Sequence, residues 1–488
     1  MRNAIISVSS KEGLEKAGKF LIQNDFNIFG TSGTRMYLER NGIRCGSVDE
    51  LTGNPEILGG RVKTLSAALS AGILAEDRDD EELKRYGYIP IDLVYVELYD
   101  FIGSFRKKIG DLVEFIDIGG VTMLRAAAKN FSRVITVPGG EAMEWVMSEM
   151  KEGEIPLVLR KKLAADTFRL TSLYDYAISE WMGADGKNFT TGGIETTKLR
   201  YGENPHQAAR SYALYPPFYE VIKVGKEVSF NNIIDAWTAW ELSFRIGRGS
   251  STVVKHASPC GAAVGENSME KAYSSDPISA YGGILAHNGV VNKGHASFLK
   301  DKFLELIIAR DFEEDAIELL DKKKNIRLLR GKDDVYSVPD IRSAGNVLLV
   351  QEWNKKSNLK FEVKSGKATE RTISDVNFGW EVVKSIKSNA IAIVQDGWLL
   401  ASCGGQPNRV DAVKIALNRA EELKRIDENS LLVSDGFFPF ADSIELIESR
   451  GIRNIAAPLG SIRDHDVLDY AEIKGLTFIE IKERAFRH

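Results

Sequence analysis

Apolar positions along this chain follow two periods, and the changes between them mark the elements. Residues 4–8, which open on the apolar run Ala4-Ile5-Ile6, read as a first strand. Leu14, Ala17, Gly18, Leu21 and Ile22 then recur at the spacing of one helical face, and Ser9 to Glu12 ahead of them have the Ser-x-x-Glu spacing of a capping box. Residues 27–29 predict a second strand, running into Gly30-Thr31-Ser32-Gly33-Thr34 and a helix that ends near Asn41. Strand patterns at 92–99 and 133–137 alternate with helical ones at 101–108, 121–130 and 141–181. Such alternation predicts an α/β layer fold for this half.

At 183–197 glycine, Asp, Asn and Thr cluster without periodicity, which reads as a linker. A polar, turn-rich stretch follows at 199–207, and Asn231-Asn232 precede a helix predicted over 233–246. Thr252-Val253-Val254 reads as a buried strand, with Lys255 and His256 where that strand should end and Pro259 and Gly261 breaking the backbone beyond it. The run 313–329 reads as a charged helix with a solvated face. After Arg342 the pattern repeats loosely: a helix at 382–387, a strand at 390–394, and a helix opened by Gly404 to Arg409 whose face is Val410, Val413, Leu417, Ala420 and Leu423. Residues 434–442 form an aromatic loop suited to wall a flat ring, and the aromatic Phe486 predicts a docked C-terminus.

A chain of 488 residues suffices for two to four domains, and 43% apolar residues is ordinary for a globular protein. The net charge of −5 argues against a general nucleic-acid binder, so any phosphate recognition must be local. Three cysteines make no disulfide framework and fit a reducing cytosol. The apolar start is too short for a signal peptide, and no apolar run approaches the ~20 residues of a membrane span.

Several stretches carry chemistry. Lys255-His256 joins a cation to a base that titrates near neutral pH, at a strand end where α/β folds open onto ligand. Small and hydroxyl residues at 31–34 let backbone N–H groups approach a phosphate. Gly59-Gly60-Arg61-Val62-Lys63-Thr64 is a cationic loop suited to an oxyanion, and Asp117 and Lys129 flank an alanine-rich helix. Read singly, each is as well a solvated turn or a surface charge. A zinc deaminase would need His-x-Glu and Pro-Cys-x-x-Cys, but Ser258 and Ala263 stand at the Glu and second Cys positions.

Taken together, Gly59 to Leu65, Ile116 to Asn130, Arg200 to Gln207, Lys255 to Gly261 and Phe437 to Asp442 closely resemble the bifunctional purine-biosynthesis family. That family joins an aminoimidazole-carboxamide ribonucleotide formyltransferase to an inosine monophosphate cyclohydrolase. The resemblance runs from Ser7 to His488 in family order. It implies a methylglyoxal-synthase-like, doubly wound domain over 1–190 and, over 191–488, duplicated cytidine-deaminase-like α/β layers without zinc. It implies formyl transfer from 10-formyltetrahydrofolate, followed by dehydrative ring closure, with no catalytic metal. His256 then matches the base and Lys255 the transition-state stabiliser. Arg200, Tyr201, His206, Asn232, Gly282, Glu305, Asn389, Phe437 and Arg484 match nucleotide positions, and Arg409, Asp442, Ser461 and Ile462 match folate positions. For ring closure, Lys129 matches the proton-transfer lysine, Lys63 and Tyr99 suit the formyl oxyanion and Asp117 the carboxamide N–H. Ser9, Ser10, Lys11, Thr31, Ser32, Gly33, Thr34, Arg61, Val62, Thr64 and Ile118 match the cradle of the second nucleotide. The resemblance further implies a cytoplasmic homodimer with transformylase sites at its interface, acting on small molecules and on neither nucleic-acid polymer nor membrane. Ser66, Ala67 and Ser70 depart from the family's His-Pro-x-x-His, and Glu97 and Asp100 from its Asn-Leu-Tyr-Pro. A different reading makes the first half a nucleotide-binding regulatory module, because fold alone does not fix function. A metal-dependent deaminase is the third.

Overall fold

The computed structural model describes residues 2–107, 109–183, 189–333, 335–336, 338–356 and 358–488. Lys108 of the predicted 101–108 helix and residues 184–188 of the predicted linker lie outside the described residues. The chain divides into two units: residues 1–194 with 212–216, and residues 195–211 with 217–488.

The first unit is built on five parallel strands. Their order is Gly46–Ser47, Phe26–Gly30, Arg2–Val8, Leu93–Glu97, Ile135–Pro138. The continuous apolar runs are explained by burial on both faces, as expected of a parallel sheet. Ala4 and Ile6 pack with Leu14, Leu21 and Met143 on one side. Ile5, Val94 and Val96 pack with Phe101, Leu124 and Tyr174 on the other. Strand order reverses between the strands Arg2–Val8 and Leu93–Glu97, which opens a crevice at their C-terminal ends.

Local expectations fail here in instructive ways. No Ser9–Glu12 capping box forms: the helix begins at Leu14 behind a left-handed Gly13 (φ 70°), and the Ser9 hydroxyl donates instead to the Leu98 carbonyl at 3.1 Å. Ile22 is 43% exposed, outside the buried face. Ser66 caps the helix Ala67–Leu74 through the Ala68 N–H at 3.1 Å, so this departure serves local structure. The predicted linker ends early, because Ile194–Leu199 is a strand.

Residues 212–216 return to the first unit: Leu214 is buried in its core, and the Arg106 guanidinium donates to the carbonyls of Leu214 (2.6 Å) and Ala213 (2.7 Å). A fragment of residues 1–195 is therefore expected to be less stable than one of residues 1–216, by about 1.5–3 kcal/mol for Leu214 burial alone. Denaturant midpoints of the two fragments measure this, and equal midpoints would deny the returning segment a role.

The second unit carries one twelve-stranded sheet made of two copies of one pattern. Each copy runs edge strand, helix, two-strand hairpin, then three helix–strand pairs. The first uses Tyr219–Val224, helix Phe230–Ile246, hairpin Ser251–Lys255 and Ser258–Ala263, and strands Gly283–Val291, Leu304–Phe312 and Arg327–Gly331. The second uses Phe361–Ser365, helix Glu370–Lys384, hairpin Ile391–Gln395 and Trp398–Cys403, and strands Leu431–Ser434, Asn454–Ala457 and Thr477–Ile481. The copies join antiparallel through Ala263 and Trp398. The loose repeat after Arg342 is thus a fold duplication.

Several predicted bounds are corrected. Pro259 and Gly261 lie within a strand, where the register shift between them marks a bulge. The 313–329 run is a helix only over Glu314–Asp321, and its apolar end enters the buried strand Arg327–Gly331. The helices at 233–246 and 382–387 begin earlier, at Phe230 and Glu370, where Ser229 and Thr369 close capping boxes. The face of helix Arg409–Glu422 includes Ala412 and Ala416, while Val410 and Leu423 are half-buried. Among the described residues no helix is long and apolar enough to cross a membrane.

Candidate functional site

In the first unit the predicted segments converge at the C-terminal ends of the strands. A cavity of about 610 Å³ there is lined by Ser7, Lys63, Thr64, Tyr99, Asp117 and Gly119, among others. The Lys63 ammonium donates to the Tyr99 hydroxyl at 3.1 Å. The Asp117 carboxylate accepts the Gly120 N–H at 2.6 Å, and its own N–H donates to the Tyr174 hydroxyl at 2.9 Å. A Cβ on Gly119 would collide with the Thr64 hydroxyl, and one on Gly120 with the Asp117 carboxylate, so any larger residue at either position would displace a side chain of the site. Burial raises the Asp117 pKa above its ordinary 3.8, against the opposing pull of the Gly120 N–H, the Lys63 charge and the Tyr99 N–H.

Of the remaining predicted cradle residues, Arg61, Thr64 and Ile118 line this cavity, whereas Ser9, Ser10, Lys11, Val62 and the loop 31–34 do not. The Thr31 hydroxyl donates to Ser7 Oγ at 3.4 Å, Thr34 Oγ1 accepts the Val8 N–H at 3.3 Å, and Ser32 donates to Glu56 at 2.7 Å. Ser32, Gly33 and Thr34 open a helix, so their N–H groups lack intrahelical partners. The Ser10 N–H donates to Glu97 at 2.8 Å, so the departing residue occupies a cradle donor. Lys11 Nζ donates to the Val8 carbonyl at 2.6 Å, and burial lowers its pKa while Glu97 opposes. Arg61 pairs with Glu114, Val62 bridges to the Ile57 backbone, and Ile118 is exposed. Lys129 is placed elsewhere. It is exposed on the last turn of the eleven-residue helix Gly119–Lys129, about 15 Å of helical rise from its start. It does not line the cavity.

In the second unit the predicted site residues at the ends of the strands gather at one end of the twelve-stranded sheet. The antiparallel junction brings the first copy's hairpin tip and strand starts to the same end as the second copy's parallel-strand C-termini. Lys255 ends its strand and donates to the Tyr281 carbonyl at 2.8 Å. Exposed His256 and half-buried Ala257 form the tip of the hairpin, both left-handed (φ 55° and 54°). Beside them lies a cavity of about 530 Å³ lined by Lys255, His256, Ser258, Asp276, Ser402 and Arg419, among others.

Two groups flank this tip. In the first copy Arg200 stacks on the Tyr201 ring (4.4 Å to its centroid) and donates to the Tyr201 hydroxyl, while its buried Nε has no protein partner. Asn232 donates to Glu305 at 2.8 Å, and Gly282 (φ 74°) follows Tyr281. His206 is exposed in the neighbouring turn. In the second copy Arg409 is buried and donates to Asn389 Oδ1 (2.6 Å), Ser434 Oγ (2.7 Å) and Asp435 Oδ1 (2.5 Å). Arg484 lies over the Phe437 ring at 5.4 Å. Ser461 and Asp464 close a turn through a 3.0 Å bond, Ile462 beside it is 97% exposed, and Asp442 opens the helix Asp442–Ser449.

The sequence reading missed Ser7, Glu56, Asp235 and Asp435. Asp435 sits inside a loop that was singled out, yet nothing local shows that it fixes Arg409. Asp235 follows Asn232 at helical spacing, the only signal it offers. Among the described residues no group of three or more His, Cys, Asp or Glu side chains is placed to hold a metal ion.

The sequence profile of the AICARFT/IMPCHase bienzyme matches residues 127–419, and that of the MGS-like domain matches residues 13–122. The bifunctional purine biosynthesis protein PurH of Clostridium botulinum (strain Loch Maree / Type A3) is 40% identical over 506 residues, covering 100% of both chains. PurH of Aquifex aeolicus (strain VF5) is 39% identical over 508 residues, covering 99% of this chain and 100% of its own. The crystal structure of ForH is 32% identical, with a TM-score of 0.33 over 37% of this chain and 99% of its own. With matches that run its full length, the chain belongs to the AICARFT/IMPCHase bienzyme family.

Proposed function

We propose that the two candidate sites divide the family's two reactions between the two units. The chain catalyses the last two steps of purine biosynthesis, formyl transfer to aminoimidazole-carboxamide ribonucleotide and closure to inosine monophosphate. The observation that supports the division is that Lys63, Tyr99 and Asp117 meet at the cavity of the first unit, whereas Lys255 and His256 stand beside a separate cavity of the second.

In the second unit the substrate's 5-amino nitrogen attacks the formyl carbon of 10-formyltetrahydrofolate. That amine is a weak nucleophile because its lone pair is shared with the ring. His256 removes its proton as the C–N bond forms, and Lys255 stabilises the oxyanion. The bond to the folate nitrogen then breaks, and that nitrogen leaves protonated. Arg200, with an unpartnered buried Nε, is suited to the phosphate. Tyr201, His206, Asn232, Gly282, Glu305, Asn389, Phe437 and Arg484 complete the nucleotide contacts. Arg409, Asp442, Ser461 and Ile462 face the folate. Ser258 and Ala263 leave the tip without the ligand set of a zinc deaminase. A homodimer and a cytoplasmic location belong to the same proposal.

In the first unit the carboxamide nitrogen attacks the new formyl carbon and water leaves. The ring closes within one molecule, so positioning supplies much of the acceleration. Lys63 and Tyr99 hold the oxyanion, Asp117 accepts the carboxamide N–H, and the loops at 9–11, 31–34 and 61–64 cradle the nucleotide. A module that only bound nucleotide would not need the Lys63–Tyr99–Asp117 grouping, which favours catalysis over regulation.

One assay tests the whole: with aminoimidazole-carboxamide ribonucleotide and 10-formyltetrahydrofolate supplied, the purified chain should form the formylated intermediate and inosine monophosphate. Formation of the intermediate alone would leave the first unit a binding module. The raised Asp117 pKa adds a pH signature. The folded chain holds this proton more tightly than the unfolded one, so ionised Asp117 is lost at a higher pH than an ordinary aspartate. Cyclisation should therefore fall in acid with a limb above pH 3.8, and Asp117→Asn should be slower but lack that limb. An unchanged limb in the variant would remove Asp117 from the titration.

A further inference from the structure

The hairpin tip that carries His256 is an expensive turn. A two-residue hairpin of this kind needs positive φ at both positions and is normally built from Asn-Gly or Asp-Gly. The second copy obeys: its tip is Asp396-Gly397, at φ 53° and 64°. The first copy has His256-Ala257 in its place, neither of them one of the Asn, Asp or Gly residues that such turns usually carry.

Both tips are held in the same way. At the first, one carboxylate takes both tip N–H groups, His256 N at 3.2 Å on Asp235 Oδ2 and Ala257 N at 2.6 Å on Oδ1. At the second, Asp375 takes Asp396 N at 3.0 Å on Oδ2 and Gly397 N at 2.7 Å on Oδ1. Asp235 and Asp375 occupy equivalent helices, Phe230–Ile246 and Glu370–Lys384, which precede the two hairpins. The tips lie at opposite ends of the sheet; the first carries Lys255, His256 and a neighbouring cavity, where the second has Gln395 and Asp396 at the matching positions.

We propose that Asp235 is a positioning residue for formyl transfer: its two-oxygen clamp holds the His256-Ala257 turn left-handed and so fixes where the His256 ring stands beside the cavity. The inference rests on the reading of His256 as the base. The duplication supplies its own control, because Asp375 makes the same clamp where no chemistry is assigned. Burial raises the pKa of both aspartates against the tip N–H bonds, consistent with clamps held in the interior of the fold.

The test compares Asp235→Asn, Asp375→Asn, His256→Ala and Asp235→Asn/His256→Ala for formyl transfer and for thermal unfolding. An amide accepts only one of the two N–H groups well. Asp235→Asn should lose kcat by about 10–100-fold with KM for the nucleotide little changed, a partial loss of base catalysis. Asp375→Asn should lose comparable stability and no rate. The double variant should be no slower than His256→Ala, because residues that act as a unit are not additive. Asp235→Asn/Ala257→Gly carries the test should Asp235→Asn fold poorly. Its glycine removes the cost of positive φ but widens the turn, so stability should return while kcat stays low. Recovery of both together, full additivity with His256→Ala, or a wild-type kcat in a folded Asp235→Asn would overturn the proposal. A near-normal rate in His256→Ala would instead sink the base assignment itself, whatever Asp235→Asn does.

Discussion

Replacing His256 with Ala is expected to cut formyl transfer by roughly 10²–10⁴-fold, the span of a lost general base. The geometry makes this a clean substitution. The ring is exposed at a hairpin tip, and alanine already occupies the left-handed position beside it at Ala257. The turn is clamped through the backbone, so it does not depend on the imidazole. Nucleotide binding should change much less, because Arg200 and Arg484 belong to other elements. Cyclisation of supplied formylated nucleotide should be untouched, since Lys63, Tyr99 and Asp117 stand in the other unit. Both half-reactions must be measured on one preparation. Formyl transfer near the wild-type rate would remove His256 from the mechanism, and equal loss of both activities would mark a folding defect.

Replacing Lys63 with Met should reduce cyclisation by about 10²–10³-fold, the usual loss of a preorganised oxyanion donor. Methionine keeps most of the side-chain length and removes the charge, so the Tyr99 hydroxyl loses its donor while the loop keeps its packing. Formyl transfer should continue, and the formylated intermediate should accumulate. Lys129→Ala should retain cyclisation, because this lysine is exposed at the far end of the helix whose start carries the Asp117 contact. The pair of variants therefore separates geometry from resemblance. A loss at Lys129 as deep as that at Lys63 would restore its resemblance-based role in proton transfer.

Much of this protein was legible in its residues. The apolar run Ala4-Ile5-Ile6 and the β-branched run Thr252-Val253-Val254 read as buried strands because burial on both faces selects such residues. The cationic loop, the glycine pair ahead of the alanine-rich helix and the Lys255-His256 step were visible because close approach and charge demand particular residue types. What failed was local and competitive. The Ser9–Glu12 spacing matched a capping box, but Leu98, just past the end of the strand Leu93–Glu97, offered the Ser9 hydroxyl a partner, and the helix started later. Pro259 and Gly261 looked like breakers, but a bulge lets a strand carry both.

Only the tertiary structure decided which of these residues meet. Residues as distant in the chain as Asn232, Lys255, Asn389, Arg409 and Arg484 share one sheet end because two copies of a fold join antiparallel, a relation with no local signature. Lys129 and Asp117 share a motif and a helix, yet the rise of that helix carries them apart. Asp235 and Asp435 carry no signal that singles them out, because their importance lies in the hairpin-tip N–H groups and the buried guanidinium that distant segments supply. Sequence determines which chemistry is available at each position; the long-range pairing of strands determines which of it converges.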